Sequence, residues 1–224
     1  MNVTHNDCSV GFGQIRLTPE ERKWLSETCP YFRPEYLTYL SQYRFKPEQV
    51  RITFHPKDPS APVSRYQPPP HPEGVPGRNE LGKIQIEATG PWHETILWEV
   101  PLMATLSELF FTTVDTDWSY DGQEGAFPFV RDNADAYRRP TENAYAKART
   151  YLENGCVFSE FGTRRRRSYH IQDLVMRTLI RAHNDYLKDE APKKPEFERG
   201  KLMGTSNVHF AQKHSVAPIG TIAQ

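Results

Sequence analysis

Four consecutive arginines, Arg164 to Arg167, stand in the stretch VFSEFGTRRRRSYHIQDLVMRTL, which runs from Val157 to Leu179. A guanidinium presents a planar fork of N–H donors that matches the oxygens of phosphate and carboxylate. A Gly-Thr pair, Gly162-Thr163, precedes the run, and the same pair recurs as Gly204-Thr205 and Gly220-Thr221. Glycine lets the backbone approach a ligand closely, and threonine adds a hydroxyl and an amide donor. Residues of these types suit an anion that carries several oxygens. One Gly-Thr pair alone reads as a tight turn. Three pairs beside an arginine cluster read as a site.

Elements must bring those pairs together. CVFSEFGT, from Cys156, is an apolar strand, and SYHIQDLVMRTLIRAHNDYL is a helix capped by Ser168 with Ile171, Leu174, Val175, Leu179, Ala182 and Tyr186 on one face. KLMGTSN is a short strand, VHFAQKHS a short helix, and VAPIGTIAQ a third strand. Strand, helix, strand, helix, strand is the start of a parallel α/β array, in which chemistry gathers at the carboxyl ends of the strands. All three Gly-Thr pairs fall at that rim. Three strands cannot close a barrel, so the array is expected to be incomplete and the chain a fragment of a longer protein.

Upstream, LTPEERKWLSE carries a helix start: Thr18 as cap, Pro19 in the first turn, and Glu21 three residues after the cap. RPEYLTYLSQYRF predicts a second helix with Tyr36, Leu37, Leu40 and Tyr43 on one side. QVRITFH and GKIQIEATG alternate as strands of a hairpin, separated by a Pro-rich insertion over residues 56–82. GPWHETILWEVPLMATLSELFF is the most apolar segment, with Ile96, Leu97, Val100, Met103, Ala104 and Leu109 expected on a buried helix face and a kink expected at Pro101. A polar loop is expected over residues 112–140, followed by a helix in TENAYAKARTYLENG that buries Ala144, Tyr145, Ala148, Tyr151 and Leu152 and stops at Gly155. The predicted division is a mixed α/β domain over residues 1–154 and the beginning of a barrel over 155–224.

Bulk composition narrows the function classes. Lys plus Arg and Asp plus Glu both number 28, so the chain of 224 residues carries no net charge. That weighs against a general nucleic-acid or membrane-surface binder. Cys8, Cys29 and Cys156 are scattered without metal-ligand spacing, which points to a reducing compartment, the cytoplasm or the nucleus. No apolar run approaches the ~18 residues of a membrane span.

With these residues in view, the chain resembles the nicotinate phosphoribosyltransferases. The resemblance lies in PYFRPEYLTYLSQYRFKPEQV, GPWHETILWEVPLMATLSE, EFGTRRRRS and GTSNVHFAQKHSVAPIGT, between residues 30 and 224. It implies a mixed α/β domain followed by an irregular α/β barrel of the type II phosphoribosyltransferase kind, of which only the first three β/α units would be present. It also implies an active site at a homodimer interface. There, nicotinate attacks C1 of phosphoribosyl pyrophosphate, giving nicotinate mononucleotide and pyrophosphate, with coupled ATP hydrolysis through a phosphohistidine and magnesium accompanying the pyrophosphate. By that resemblance Phe161 would stack on the pyridine ring, and Arg164 would sit beside the ring and the ribose phosphate. Gly162 would belong to the same loop, and Arg165 and Arg166 would contact phosphate, with Thr163 and Thr205 as further candidates. Arg167 is expected to face solvent. Ser206 stands where the nicotinamide-using relatives carry an Asp, which would repel the carboxylate of nicotinate. Thr221 matches a threonine near nicotinate.

Two departures accompany the resemblance. The family motif Gly-Thr-x-Ala-His reads Gly220-Thr221-Ile222-Ala223-Gln224 here, so Gln224 takes the place of the phosphorylated histidine. An amide cannot be phosphorylated as imidazole can. The family's N-terminal Asp-x-Tyr-Lys-x-Thr-Met segment is absent as well. The expectation is a truncated gene model whose parent is the enzyme, the chain alone being inactive. Two other readings compete: a catalytically inactive subunit that acts only by association through the apolar helix, and an arginine-rich nucleic-acid-binding module. The run's position between a strand and a helix of a neutral chain disfavours the module.

Overall fold

The structure, a computed structural model, describes residues 11–56, 82–113 and 134–220. It is mixed α/β with two small sheets, and backbone contacts divide the chain into two compact units, Met1–Glu99 and Val100–Gln224. The Pro-rich insertion expected over 56–82 lies almost wholly outside the described residues.

In the first unit, α1 (Pro19–Thr28) starts where its capping box predicts. Thr18 Oγ1 accepts from the Glu21 amide at 3.2 Å, and the Glu21 carboxylate accepts from the Thr18 amide at 2.8 Å. Two of the donors that a helix start leaves unpaired are thereby satisfied. Helix α2 (Pro34–Gln42) packs against α1 through Leu25, Cys29 and Leu37, with Leu17, Trp24 and Phe32 around them. Strands β1 (Val50–Pro56) and β2 (Gly82–Ala88) form the expected antiparallel hairpin, in register from Val50 opposite Ala88 to Pro56 opposite Gly82.

The apolar segment departs from the expected single kinked helix. It forms a short α3 (Trp92–Thr95), a tight 3-10 turn at Ile96–Trp98, and then α4 (Glu99–Thr113). The break lies upstream of Pro101 because the proline ring would collide with the Leu97 carbonyl of a regular helix. Trp98 is buried, donates from Nε1 to Gln49 Oε1 at 3.1 Å and meets the ring of Phe45 edge-on. The face expected to be buried is not: Ile96, Val100, Met103 and Leu109 are exposed, as is Trp92, and Ala104 alone of the six expected residues is fully buried.

The second unit holds the rim. Helix α5 (Ala134–Glu153) begins seven residues before the helix expected from Thr141; Ala144, Ala148 and Leu152 are buried, whereas Tyr151 is exposed. Gly155, at φ 75°, closes it in a conformation that favours glycine. Then come β3 (Val157–Glu160), α6 (Tyr169–Asp189), β4 (Lys201–Thr205) and α7 (Val208–His214). Strands β3 and β4 are parallel neighbours. The third expected strand is reduced, among the described residues, to one parallel bridge between Thr205 and Pro218. The residues flanking Pro218 make the bridge: the Thr205 amide donates to the Ala217 carbonyl at 3.1 Å and the Ile219 amide donates to the Thr205 carbonyl at 2.9 Å. Helix α6 is buried on more than its expected face. Met176, Gln172 and Asp173 are buried besides Ile171, Ala182 and Tyr186, because α6 packs both on α5 and on β4 with α7. Met176, Leu202 and Phe210 form the core there, with Phe158, Leu179, Ile180 and Val216 around it.

Candidate anion site at the strand ends

Strand β3 ends on Glu160, and the chain turns at once. Phe161 follows, half exposed, and Gly162 opens a 3-10 turn over Thr163–Arg165 that is closed by the Arg165 amide on the Gly162 carbonyl at 2.9 Å. Ser168 then caps α6, its Oγ accepting from the Ile171 amide at 3.1 Å. This turn splits the arginines. Arg164 and Arg165 are exposed. Arg166 is largely buried: its Nη2 lies 3.2 Å from Glu108 Oε2, its carbonyl accepts from Ser107 Oγ at 2.9 Å, and its guanidinium lies 5.8 Å from the Tyr169 ring centre. Arg167 is exposed, over the ring of Phe111 at 5.6 Å.

Strand β4 reaches the same rim through a bulge. Phe158 pairs with Leu202, but Glu160 pairs with Thr205, so β4 carries one residue more than β3 over this interval. Gly204 takes up the distortion at φ 149°, and a Cβ there would collide with the Ala217 carbonyl. The bulge sets the fully buried Thr205 against Glu160, whose Oε2 accepts from Thr205 Oγ1 at 2.6 Å. Glu160 Oε1 accepts from Gln172 Nε2 at 2.6 Å and from the Gly162 amide. The Ser206 amide donates to the Glu160 carbonyl at 2.9 Å, which fixes the half-buried Ser206 beside the first loop. Asn207 caps α7 through Oδ1 on the Phe210 amide at 3.1 Å and donates from Nδ2 to Thr163 Oγ1 at 2.9 Å.

Two of the three Gly-Thr pairs, with Phe161, Arg164, Arg165, Arg166 and Ser206, therefore stand on one rim. Gly220 follows the third segment, while Thr221 and Gln224 lie outside the described residues. Sequence reasoning missed Glu160, Gln172 and Asn207. A carboxylate ending an apolar strand was a usable signal, because buried acids need partners. So was the Asn at a helix start. It also missed a polar knot behind the rim. Asp173 Oδ1 lies 2.9 Å from Lys213 Nζ and 2.8 Å from His214 Nε2, and Oδ2 lies 3.3 Å from Arg177 Nε. Burial pushes the Asp173 carboxyl up, but the hydrogen bonds from Lys213 and His214 and the charges of Lys213 and Arg177 outweigh it and hold the group below its ordinary value. Lys213 is correspondingly raised, first by Asp173 and then by Tyr169.

Two family models match the chain: the nicotinate phosphoribosyltransferase N-terminal domain over residues 6–68 and the nicotinate phosphoribosyltransferase family over residues 156–224. The chain belongs to the nicotinate phosphoribosyltransferase family. The nicotinate phosphoribosyltransferase of Methanosarcina mazei is 38% identical over 208 residues, which is 93% of this chain and 41% of that protein. A solved structure from Saccharomyces cerevisiae matches with a TM-score of 0.70 at 33% identity, covering 98% of this chain and 43% of its own. The nicotinate phosphoribosyltransferase of Porphyromonas gingivalis matches with a TM-score of 0.62 at 26% identity, covering 95% of this chain and 40% of its own. The chain thus spans about two-fifths of the length of the relatives it matches. The second family model begins at Cys156, one residue before β3, and takes in the whole rim. Among the described residues no helix is long and apolar enough to cross a membrane, and no cluster of three or more His, Cys, Asp or Glu could hold a metal ion.

Proposed function

We propose that this chain contributes the nicotinate and phosphoribosyl pyrophosphate site of a nicotinate phosphoribosyltransferase in the salvage of nicotinate to NAD. The observation that carries this reading is the joining of the EFGTRRRRS turn and the GTSN turn at adjacent parallel strand ends, with Arg164, Arg165 and Ser206 on one rim. In the reaction the pyridine nitrogen forms a bond to C1 of the ribose, and the C1–O bond to pyrophosphate breaks with its electron pair leaving on the pyrophosphate. No side chain need attack, so catalysis is positioning and charge stabilisation.

In this reading Phe161 stacks on the pyridine ring. Arg164 and Arg165 take phosphate and carboxylate oxygens, with the backbone at Gly162, Thr163 and Thr205 alongside. Ser206 leaves room for the carboxylate. Arg166, paired with Glu108, we assign to holding the turn rather than to phosphate. ATP enters as a coupled substrate. Magnesium belongs to the pyrophosphate oxygens, as it usually does beside substrate phosphates; the described residues offer it no carboxylate cage. Residues 155–224 we take as the catalytic barrel segment and 1–154 as its N-terminal partner, in a homodimer of the cytoplasm.

Arg164→Ala in the full-length protein tests the reading by calorimetric titration with phosphoribosyl pyrophosphate. Removal of a charge-assisted fork contributes about 1.5–3 kcal/mol, so affinity should fall roughly 10- to 150-fold. Affinity within twofold of wild type would remove Arg164 from the site.

A further inference from the structure

We infer that Glu160 is the positioning residue of this site: its carboxylate, engaged by the bulge-placed Thr205, locks the arginine turn and the Ser206 turn into one rigid rim. The inference rests on the phosphoribosyl reading above and names a residue that would act through others rather than touch substrate.

The two turns come from strands far apart in the chain; Arg166 fastens the first to Glu108 of α4, and holding the two turns together needs a further anchor. Glu160 supplies one. Its side chain is over nine-tenths buried and accepts from three elements at once: the Gly162 amide of the arginine turn, Gln172 of α6 and the Thr205 hydroxyl of β4. Its own carbonyl takes the Ser206 amide. From Thr205 the connection continues, Oγ1 accepting from the Asn207 amide at 3.0 Å, and Asn207 Nδ2 returns to Thr163 Oγ1 at 2.9 Å. The hydrogen bonds form a closed circuit that leaves the arginine turn and comes back to it.

A carboxyl group suits the centre of this circuit, because its two oxygens can meet an amide N–H, a side-chain amide and a hydroxyl together. Burying so polar a group is costly, and well-packed apolar residues often replace buried polar pairs without loss of stability. A buried acid at the end of an otherwise apolar strand is therefore better explained by a geometry to be held than by stability. The bulge supports this. Without the extra residue between Leu202 and Thr205, the alternation of side chains along β4 would turn Thr205 to the face opposite Glu160. Phosphoribosyl transfer rewards such fixing, since a displacement of about 1 Å can cost about 100-fold in rate.

The test uses Glu160→Gln, Glu160→Ala and Thr205→Val in the full-length protein. Without ligand, amide exchange at Gly162, Ser206 and Asn207 should quicken by about tenfold or more in Glu160→Ala, relative to amides in the middle of α6. With substrates, Glu160→Ala should lower kcat about 100-fold and raise KM for phosphoribosyl pyrophosphate. Glu160→Gln keeps one acceptor oxygen and should restore part of the loss, with Thr205→Val between the two. Unchanged exchange at the three amides overturns the inference. So does a kinetic loss that only tracks the unfolded fraction measured on the same samples. Should Glu160→Ala fail to fold, Glu160→Gln and Thr205→Val carry the same comparison. A wild-type protein that does not convert nicotinate with phosphoribosyl pyrophosphate refutes the proposed reaction and the inference with it, whereas unchanged exchange in an active enzyme refutes the lock alone.

Discussion

Asp173→Asn should cost the second unit about 2 kcal/mol at pH 7, and the cost should vanish in acid. The magnitude follows from the three partners of the carboxylate. The bond to His214 joins two side chains about 10% exposed, and a charge-assisted bond of that kind contributes about 1.5–3 kcal/mol. Lys213 and Arg177 are 38% and 52% exposed, so solvent screening leaves them with at most ~1 kcal/mol each. Asparagine keeps one acceptor oxygen, which offsets part of the sum. In a unit of this size about 2 kcal/mol moves Tm by roughly 6–12 °C. The pH dependence has a definite sign. The folded Asp173 carboxyl sits below its ordinary value, so its contribution is fully present above the unfolded value of about 3.9 and is lost as pH falls through the folded one. Urea unfolding of wild type and variant from pH 7 to pH 3 should show a constant gap above about pH 5 that closes in the acid range. A gap that does not narrow at all as pH falls from about 5 to 3, or none at pH 7, would refute the claim that the ionised carboxylate staples α7 to α6.

Two further substitutions test the local geometry. Gly204→Ala meets a φ of 149° and the Ala217 carbonyl together, and should lower stability by about 3 kcal/mol, read as a lower urea midpoint at unchanged m-value; a shift under about 0.5 kcal/mol would show that the bulge relaxes freely. Thr18→Ala removes one arm of the capping box of α1 and should cost about 1 kcal/mol, with Thr18→Ser restoring most of it in the same thermal melt.

Local chemistry made several elements legible. Thr18, Pro19 and Glu21 mark the start of α1, Ser168 marks α6, and alternation marks the hairpin, because each signal involves residues within a turn or two of one another. Where long-range packing decides, the sequence was less informative. Leu25 and Leu37 meet across two helices, but nothing local shows that Val100 and Met103 stay exposed while Trp98 is buried. Met176 and Gln172 lie off the apolar stripe of α6 and are buried because a second layer covers that side. The site followed the same division. Its residue types and its place at the strand ends could be read. The bulge that sets Thr205 against Glu160 could not be read with its register: Gly204 inside KLMGT hints at an irregularity, but which residue it turns toward β3 depends on pairing with a strand whose Glu160 lies 45 residues before Thr205.

The arginine run shows why residue types alone overstate a site. Four guanidiniums in sequence suggest four positive charges at one point, where they would repel one another. The 3-10 turn at Thr163–Arg165 and the extended Arg166 that follows send them in different directions. Arg166 turns inward to Glu108 and Arg167 lies over Phe111, both on α4, so half of the run fastens the turn to the neighbouring helix. Arg164 and Arg165 are left at the exposed edge, next to Phe161 and across from Ser206. One short turn thus fastens itself to α4 and holds Arg164 and Arg165 at the exposed edge; in the proposed site the fastening arginines make the outer ones effective, because a charge on a loose loop stabilises no particular geometry.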